Sequence, residues 1–249
     1  MRKVFIIGAH RSGTSKLASY FSEVLGFSGH AEGHVYRLLS HLKNGRTDIV
    51  RTIPENAYEV NRVGFDRIFR RLTRALDALI AEHHHHQDYF DKTPGYRMID
   101  AAPVIHRHIP EARFIHLHRN GIDNVRSNLR LWPDRHFDDA CKMWASSIRT
   151  FFNVQDQIAD RLLALEMQDL IARPWEVHCR ILAHLALEHP VAEADVAAYF
   201  ASGSTTSTTA LDTTAAQPRL DQQGWTAAEQ ETFLRICGEA MDRLGYVYR

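Results

Sequence analysis

The chain has 249 residues, 45% of them apolar, enough for one substantial core, and residues 1–249 are expected to form a single domain. Thirty basic residues balance 30 acidic ones, which excludes a broad nucleic-acid footprint and makes a strongly polyanionic substrate unexpected. Cys141, Cys179 and Cys237 lie far apart without zinc spacing, and no stretch approaches the ~20 apolar residues of a membrane span, so free thiols in the cytoplasm are expected.

Met1-Arg2-Lys3 precedes an apolar run that breaks at Gly8, too early for a signal peptide. That run predicts a strand over Lys3–Gly8, emptying into Gly8-Ala9-His10-Arg11-Ser12-Gly13-Thr14-Ser15 and then a helical pattern. The spacing matches the phosphate loop G-x-x-x-x-G-K-[ST], except that Thr14 stands where the lysine belongs. This departure points away from ATP and toward another phosphorylated donor. Backbone N–H groups from Arg11 to Ser15 would converge at a helix N-terminus, with the Arg11 fork beside them. The competing reading is that Ser12 to Ser15 cap the helix.

The turn Gly29-His30-Ala31-Glu32-Gly33-His34 should lie near the mouth of the loop and offers Glu32, or alternatively His34, as a base. Helix capping is the competing role for both. A mainly helical insertion follows, including Val63 to Ala81, where Phe65, Ile68, Phe69, Leu72, Leu76 and Leu79 recur as a packed face. The run His83 to His86 reads as a solvated turn in preference to a metal site. A strand over Asp88–Asp91 then delivers Lys92, just before Pro94, to the carboxyl edge of the sheet.

Arg113–His118 reads as a buried strand with Arg119 at its carboxyl end, Gly121 at the turn and Asp123 as a helix cap; Ser127 falls on a shared face one to two turns on. Further helices are expected from about Ile122, Asp138, Pro174 and Thr226, and a strand over Arg161–Glu166. Asp138, Trp144 and Arg149 recur at helical spacing and are assigned to structure. Ser202 to Gln223, rich in Ser, Thr, Ala and Gln, reads as a mobile loop before Trp225. The alternation of strand and helix implies a three-layer α/β fold: a mostly parallel central sheet with a P-loop-like strand-loop-helix and helical insertions.

Together, the Gly8–Ser15 loop and the Arg119…Ser127 pair resemble the sulfotransferases that use 3′-phosphoadenosine 5′-phosphosulfate (PAPS), especially the protein-tyrosine, heparan and related bacterial branches. Asp91-Lys92-Thr93-Pro94, Leu165-Glu166-Met167-Gln168-Asp169-Leu170, similar to a Y-E-D-L that follows a central strand, and Leu244-Gly245-Tyr246 extend the likeness across the chain. The resemblance implies that Arg11, Ser12, Gly13, Thr14 and Ser15 hold the 5′-phosphosulfate and that Arg119 and Ser127 hold the 3′-phosphate. Arg219 and Trp225 would close the adenosine site, although Gln222-Gln223-Gly224 replaces an expected basic neighbour. Glu32 stands 21 residues after Arg11, similar to the catalytic glutamate of the protein-tyrosine branch, which favours it as the base over His34; Arg11 and Lys92 are the candidate cations around the moving sulfuryl group. The acceptor would be a small-molecule, carbohydrate, lipid or peptide hydroxyl, with no metal required. The rival classes are a P-loop-type kinase, which would need a lysine at position 14, and a noncatalytic nucleotide-binding protein.

Overall fold

The computed structural model describes residues 1–30, 32–52, 64–188, 190–202 and 218–249, with no description of the side chains of residues 30 and 46–52. Strands β1 (Lys3–Gly8), β2 (Ser28–His30), β3 (Tyr89–Lys92), β4 (Ala112–His118) and β5 (Leu162–Glu166) pair in parallel in the order β2-β3-β1-β4-β5. The helices are α1 (Thr14–Glu23), α2 (Leu38–Thr52), α3 (Phe65–His83), α4 (Tyr96–His108), α5 (Gly121–Leu131), α6 (Phe137–Val154), α7 (Met167–Ala172), α8 (Pro174–Leu185), α9 (Glu193–Ala201) and α10 (Ala227–Arg243). Among the described residues no helix is long and apolar enough to cross a membrane.

Every residue of β1 is buried, because both faces of the sheet are covered. Val4 and Ile6 pack with Leu17, Tyr20 and Phe21 of α1, while Phe5 and Ile7 pack with Met98, Ile99 and Ile105 of α4 and Phe151 of α6. A third cluster joins α5, α6 and α10 through Ile122, Trp144, Phe233 and Met241. Each such large side chain contributes about 1.5–3 kcal/mol by leaving water. From β1 the chain crosses to β2 on one side, returns through β3, and continues to β4 on the other side. That reversal leaves a crevice beside β1 at the carboxyl ends of the strands, where an open α/β sheet binds ligands.

Several elements depart from the sequence reading. The segment after α1 pairs as β2, whose three residues are too few to show a pattern. Helix α4 carries Pro103 in its interior, a residue that argues against a helix when only the sequence is read. Leu72 and Leu79 of α3 are exposed, so the packed face there is narrower than the apolar recurrence implied. The cap of α5 is Asn120, whose side chain accepts from the Ile122 amide, and not Asp123. The histidine run is not uniformly solvated: His84 is buried, bonds Ser28 Oγ at 2.7 Å and stacks on Tyr89. Strand β5 is an edge strand, not a central one. Of the loop expected over Ser202 to Gln223, residues 203–217 lie outside the described residues; Leu220–Gln222 forms a short 3-10 turn tied by the Leu220 amide to the Tyr248 carbonyl.

Burial pushes His118 down to about 4, against an opposing pull from Asp169, and its Nδ1 lies 2.9 Å from the Tyr246 hydroxyl. Its value in the unfolded chain is ~6.5, so between that pH and about 4 the unfolded state takes up a proton that the folded state refuses. Stability contributed by the neutral ring should therefore fall as pH drops through this window. His118→Gln should flatten the dependence of urea unfolding on pH there, and an unchanged slope would contradict the assignment.

Candidate active site

The turn leaving β1 is held against its neighbours at close quarters. A Cβ on Gly8 would stand 2.3 Å from the Leu117 carbonyl oxygen, so glycine is required where β1 and β4 part. Gly13 caps α1 at φ +84°, a left-handed conformation that favours glycine, and a Cβ there would meet Met167 Cγ at 2.8 Å. With Gly13 as the cap, no side chain caps α1, which removes the capping role considered for Ser12 to Ser15. Arg11 also has positive φ, +65°, a strained backbone of the kind concentrated at ligand-binding loops.

Helix α5 fastens this loop. The buried Asn124 donates from Nδ2 to the His10 carbonyl at 2.7 Å and to Ser12 Oγ at 3.1 Å. Arg11 donates from Nε to Ser127 Oγ at 3.1 Å, and Arg119 reaches the Arg11 carbonyl at 3.4 Å. The Arg119 carbonyl in turn accepts from Trp144 Nε1 at 3.1 Å, which gives Trp144 a positioning role. Arg119, Ser127 and Trp225 line one cavity of about 290 Å³, with Arg126, Arg130 and Gln223 on its walls. Burial and the neighbouring Arg130 both weigh against the charge on Arg11, so an anion placed here meets cations already crowded together. Arg219 does not line this cavity; its Nε bonds Asp221 at 3.3 Å.

A second cluster stands at the end of β3. Lys92 is 2% exposed and donates to Glu32 Oε1 at 3.2 Å, while Glu32 Oε2 lies 3.0 Å from His34 Nε2. The surrounding turn is locked: the His34 amide donates to Thr93 Oγ1 and Thr93 to Asp91 Oδ1, each at 2.9 Å. Burial pushes the Glu32 carboxyl up, but Lys92 and His34 outweigh it and hold the group below its ordinary value. Lys92 is lowered by burial, with Glu32 opposing and Arg11 adding to the fall. The Arg11 charge is thus felt at Lys92 as well as at Ser127. Lys16, the lysine nearest the missing P-loop position, is turned away and donates to the Tyr199 and Ser202 carbonyls at 2.7 and 3.0 Å.

The sequence reading missed Asn124, Arg126, Arg130 and His10. For the arginines a signal existed, since Arg119, Asp123, Arg126 and Arg130 recur at three- and four-residue steps on the helical face of Ser127. Asn124 gave none, because its role is a tertiary bond to a distant carbonyl.

A model of the sulfotransferase family matches residues 3–191. Among solved structures, the chain is similar to the sulfotransferase domain of the Synechococcus PCC 7002 olefin synthase, at 17% identity and a TM-score of 0.59 over 100% of this chain and 96% of that one. It is also similar to sulfotransferase STF9 from Mycobacterium avium, at 15% identity and 0.55 over 100% and 77% of the two chains. Mouse sulfotransferase SULT7A1, complexed with PAP, matches at 11% identity and 0.55 over 97% and 85%. At such identities these likenesses establish the fold. No curated protein matches in sequence.

Replacing Asn124 by alanine strips the His10 carbonyl and Ser12 hydroxyl of a shared donor. The variant should lose about 1–3 kcal/mol of stability in urea unfolding. A loss within about 0.5 kcal/mol, the level of an ordinary surface change, would mean that the loop is held by other contacts.

Proposed function

Because this chain belongs to the sulfotransferase family, we propose that it transfers a sulfuryl group in line from PAPS to an acceptor hydroxyl, with Glu32 as the base. The observation that carries the reading is the joining of two anion-binding groups: Arg11 of the loop is bonded to Ser127, which shares a cavity with Arg119 and Trp225. Two neighbouring anion-binding groups suit a nucleotide that carries phosphate at two positions. Arg11 and the amides of Ser12, Gly13, Thr14 and Ser15 hold the phosphosulfate end, Arg119 and Ser127 the 3′-phosphate, and Trp225 flanks the nucleoside. The uncapped head of α1 and the crowded arginines fit such an anion. Arg219, whose exposed pairing with Asp221 uses only Nε, closes the adenosine side with its remaining donors.

PAPS, when bound, supplies the sulfuryl group and leaves as the bisphosphate PAP. The protein positions charge around that exchange, and such placement does most of the work in this type of transfer. Lys92 is nearly sealed from water, so its charge meets a developing negative oxygen with little screening. Glu32 takes the proton of the acceptor hydroxyl. Held low by Lys92 and His34, it is a weak base while Lys92 is its partner, and it strengthens when Lys92 turns to the sulfonate. His34 orients Glu32 and is the alternative base. Nothing in the scheme calls for a metal. We place the protein in the cytoplasm, in keeping with three free cysteines.

The test is transfer of labelled sulfate from PAPS to a panel of hydroxyl acceptors. Wild type should turn over, and Glu32→Gln should lower kcat about 10²–10⁴-fold while PAP still binds. Full turnover by Glu32→Gln would move the base elsewhere, and phosphate transfer from ATP·Mg²⁺ would overturn the proposal.

A further inference from the structure

Helix α4 begins beside the phosphate loop, where the Gly95 amide donates to the Gly8 carbonyl at 2.8 Å. Its other end, about 10–20 Å along the helix, borders a cavity of about 530 Å³, which is within the range of small-molecule sites and larger than the one beside Arg119. Phe69 of α3, with Pro103 and Val104, gives this cavity an apolar side. Lys43 of α2, Arg107 and Arg161 bring positive charge to it, against the single carboxylate of Asp66 among its described lining residues. Arg161 shapes the wall: Nη1 donates to the Ile109 and Pro110 carbonyls at 3.0 and 2.9 Å and Nη2 to the His106 carbonyl at 2.7 Å. These bonds offset the negative end of α4, which would otherwise repel an anion. Arg107 lies 3.7 Å from Asp66 with both side chains well exposed, a pairing that holds its fork weakly. Lys43 donates to Asp100 Oδ1 at 2.5 Å, and Asp100 is not part of the cavity wall. Burial and Arg107 hold His108, also on the wall, below its ordinary value against Asp66, with Arg70 and Arg74 of α3 adding to the fall. The positive field therefore extends past the lining residues.

We propose that this cavity is a second binding site, for a phosphate monoester carried on an apolar or aromatic body. Lys43 and Arg107 take the head group, and Phe69, Pro103 and Val104 cover the body. Two cations match the nearly two negative charges that such an ester carries at pH 7, where a carboxylate or a sulfate ester carries one. The guanidinium fork suits phosphate oxygens taken in pairs. The site is separate from the groups assigned to the donor, and it stands whether or not the chain transfers sulfate.

The test is calorimetric titration of 1-naphthyl phosphate into the full chain, with 1-naphthol and inorganic phosphate titrated separately. Wild type should bind the ester about tenfold or more tightly than either part, the worth of one charge-assisted hydrogen bond. Lys43→Gln and Arg107→Gln should each weaken the ester about threefold or more, Asp66→Asn should tighten it, and Arg119→Ala should leave it unchanged. No binding by the folded protein, equal affinity for 1-naphthol, or binding that Arg119→Ala abolishes and the Lys43 and Arg107 variants keep would overturn the site. Phosphatidate carries the same head group, so vesicles of phosphatidylcholine with phosphatidate distinguish the source once the ester binds. Co-sedimentation that both variants lose supports the site with a lipid as its ligand, and no co-sedimentation supports it with a soluble ester.

Discussion

The site depends first on the fastening of the phosphate loop to α5. A loop built on Gly8 and Gly13 is conformationally permissive, and its left-handed residues, Arg11 among them, cost energy to hold. Asn124, Ser127 and Arg119 supply that hold from a single helix and the turn before it. Arg119 and Ser127, which bond Arg11, also line the neighbouring cavity, so the bonds between α5 and the loop tie that cavity directly to the loop. Trp144, from α6, extends the arrangement to the core by bonding the Arg119 carbonyl.

The Lys92–Glu32 pair obeys a different constraint. A lysine with 2% exposure is expensive to charge, and its half-exposed carboxylate partner offsets the cost only in part. Both groups are displaced downward: Lys92 by its burial, and Glu32 because Lys92 and His34 outweigh the upward push of burial. A buried cation with a replaceable partner is suited to receiving an anion, because exchanging one negative group for another leaves the charge compensated throughout.

Local patterns in the sequence located much of this. The apolar run into Gly8–Ser15, the buried strand ending at Arg119, and the placing of Ser127 one to two turns into the next helix all follow from periodicity and turn chemistry, and the structure brings Arg11, Arg119, Ser127 and Trp225 together. What escaped was set by tertiary contact. Three residues pair as β2 only because the edge of β3 is open to them, Pro103 is tolerated inside α4, and His84 is buried by stacking on Tyr89. Asn124 looks like any helix-surface asparagine until the loop is folded against it.

The central claim is that the loop and α5 together hold a nucleotide phosphorylated at both ends. It is tested most directly by calorimetric titration of 3′-phosphoadenosine 5′-phosphate into wild type and Arg119→Ala, with ATP·Mg²⁺ as competitor. The account predicts tight binding that needs Arg119 and is indifferent to ATP·Mg²⁺. Preference for ATP·Mg²⁺, or no nucleotide binding by the folded protein, would contradict it.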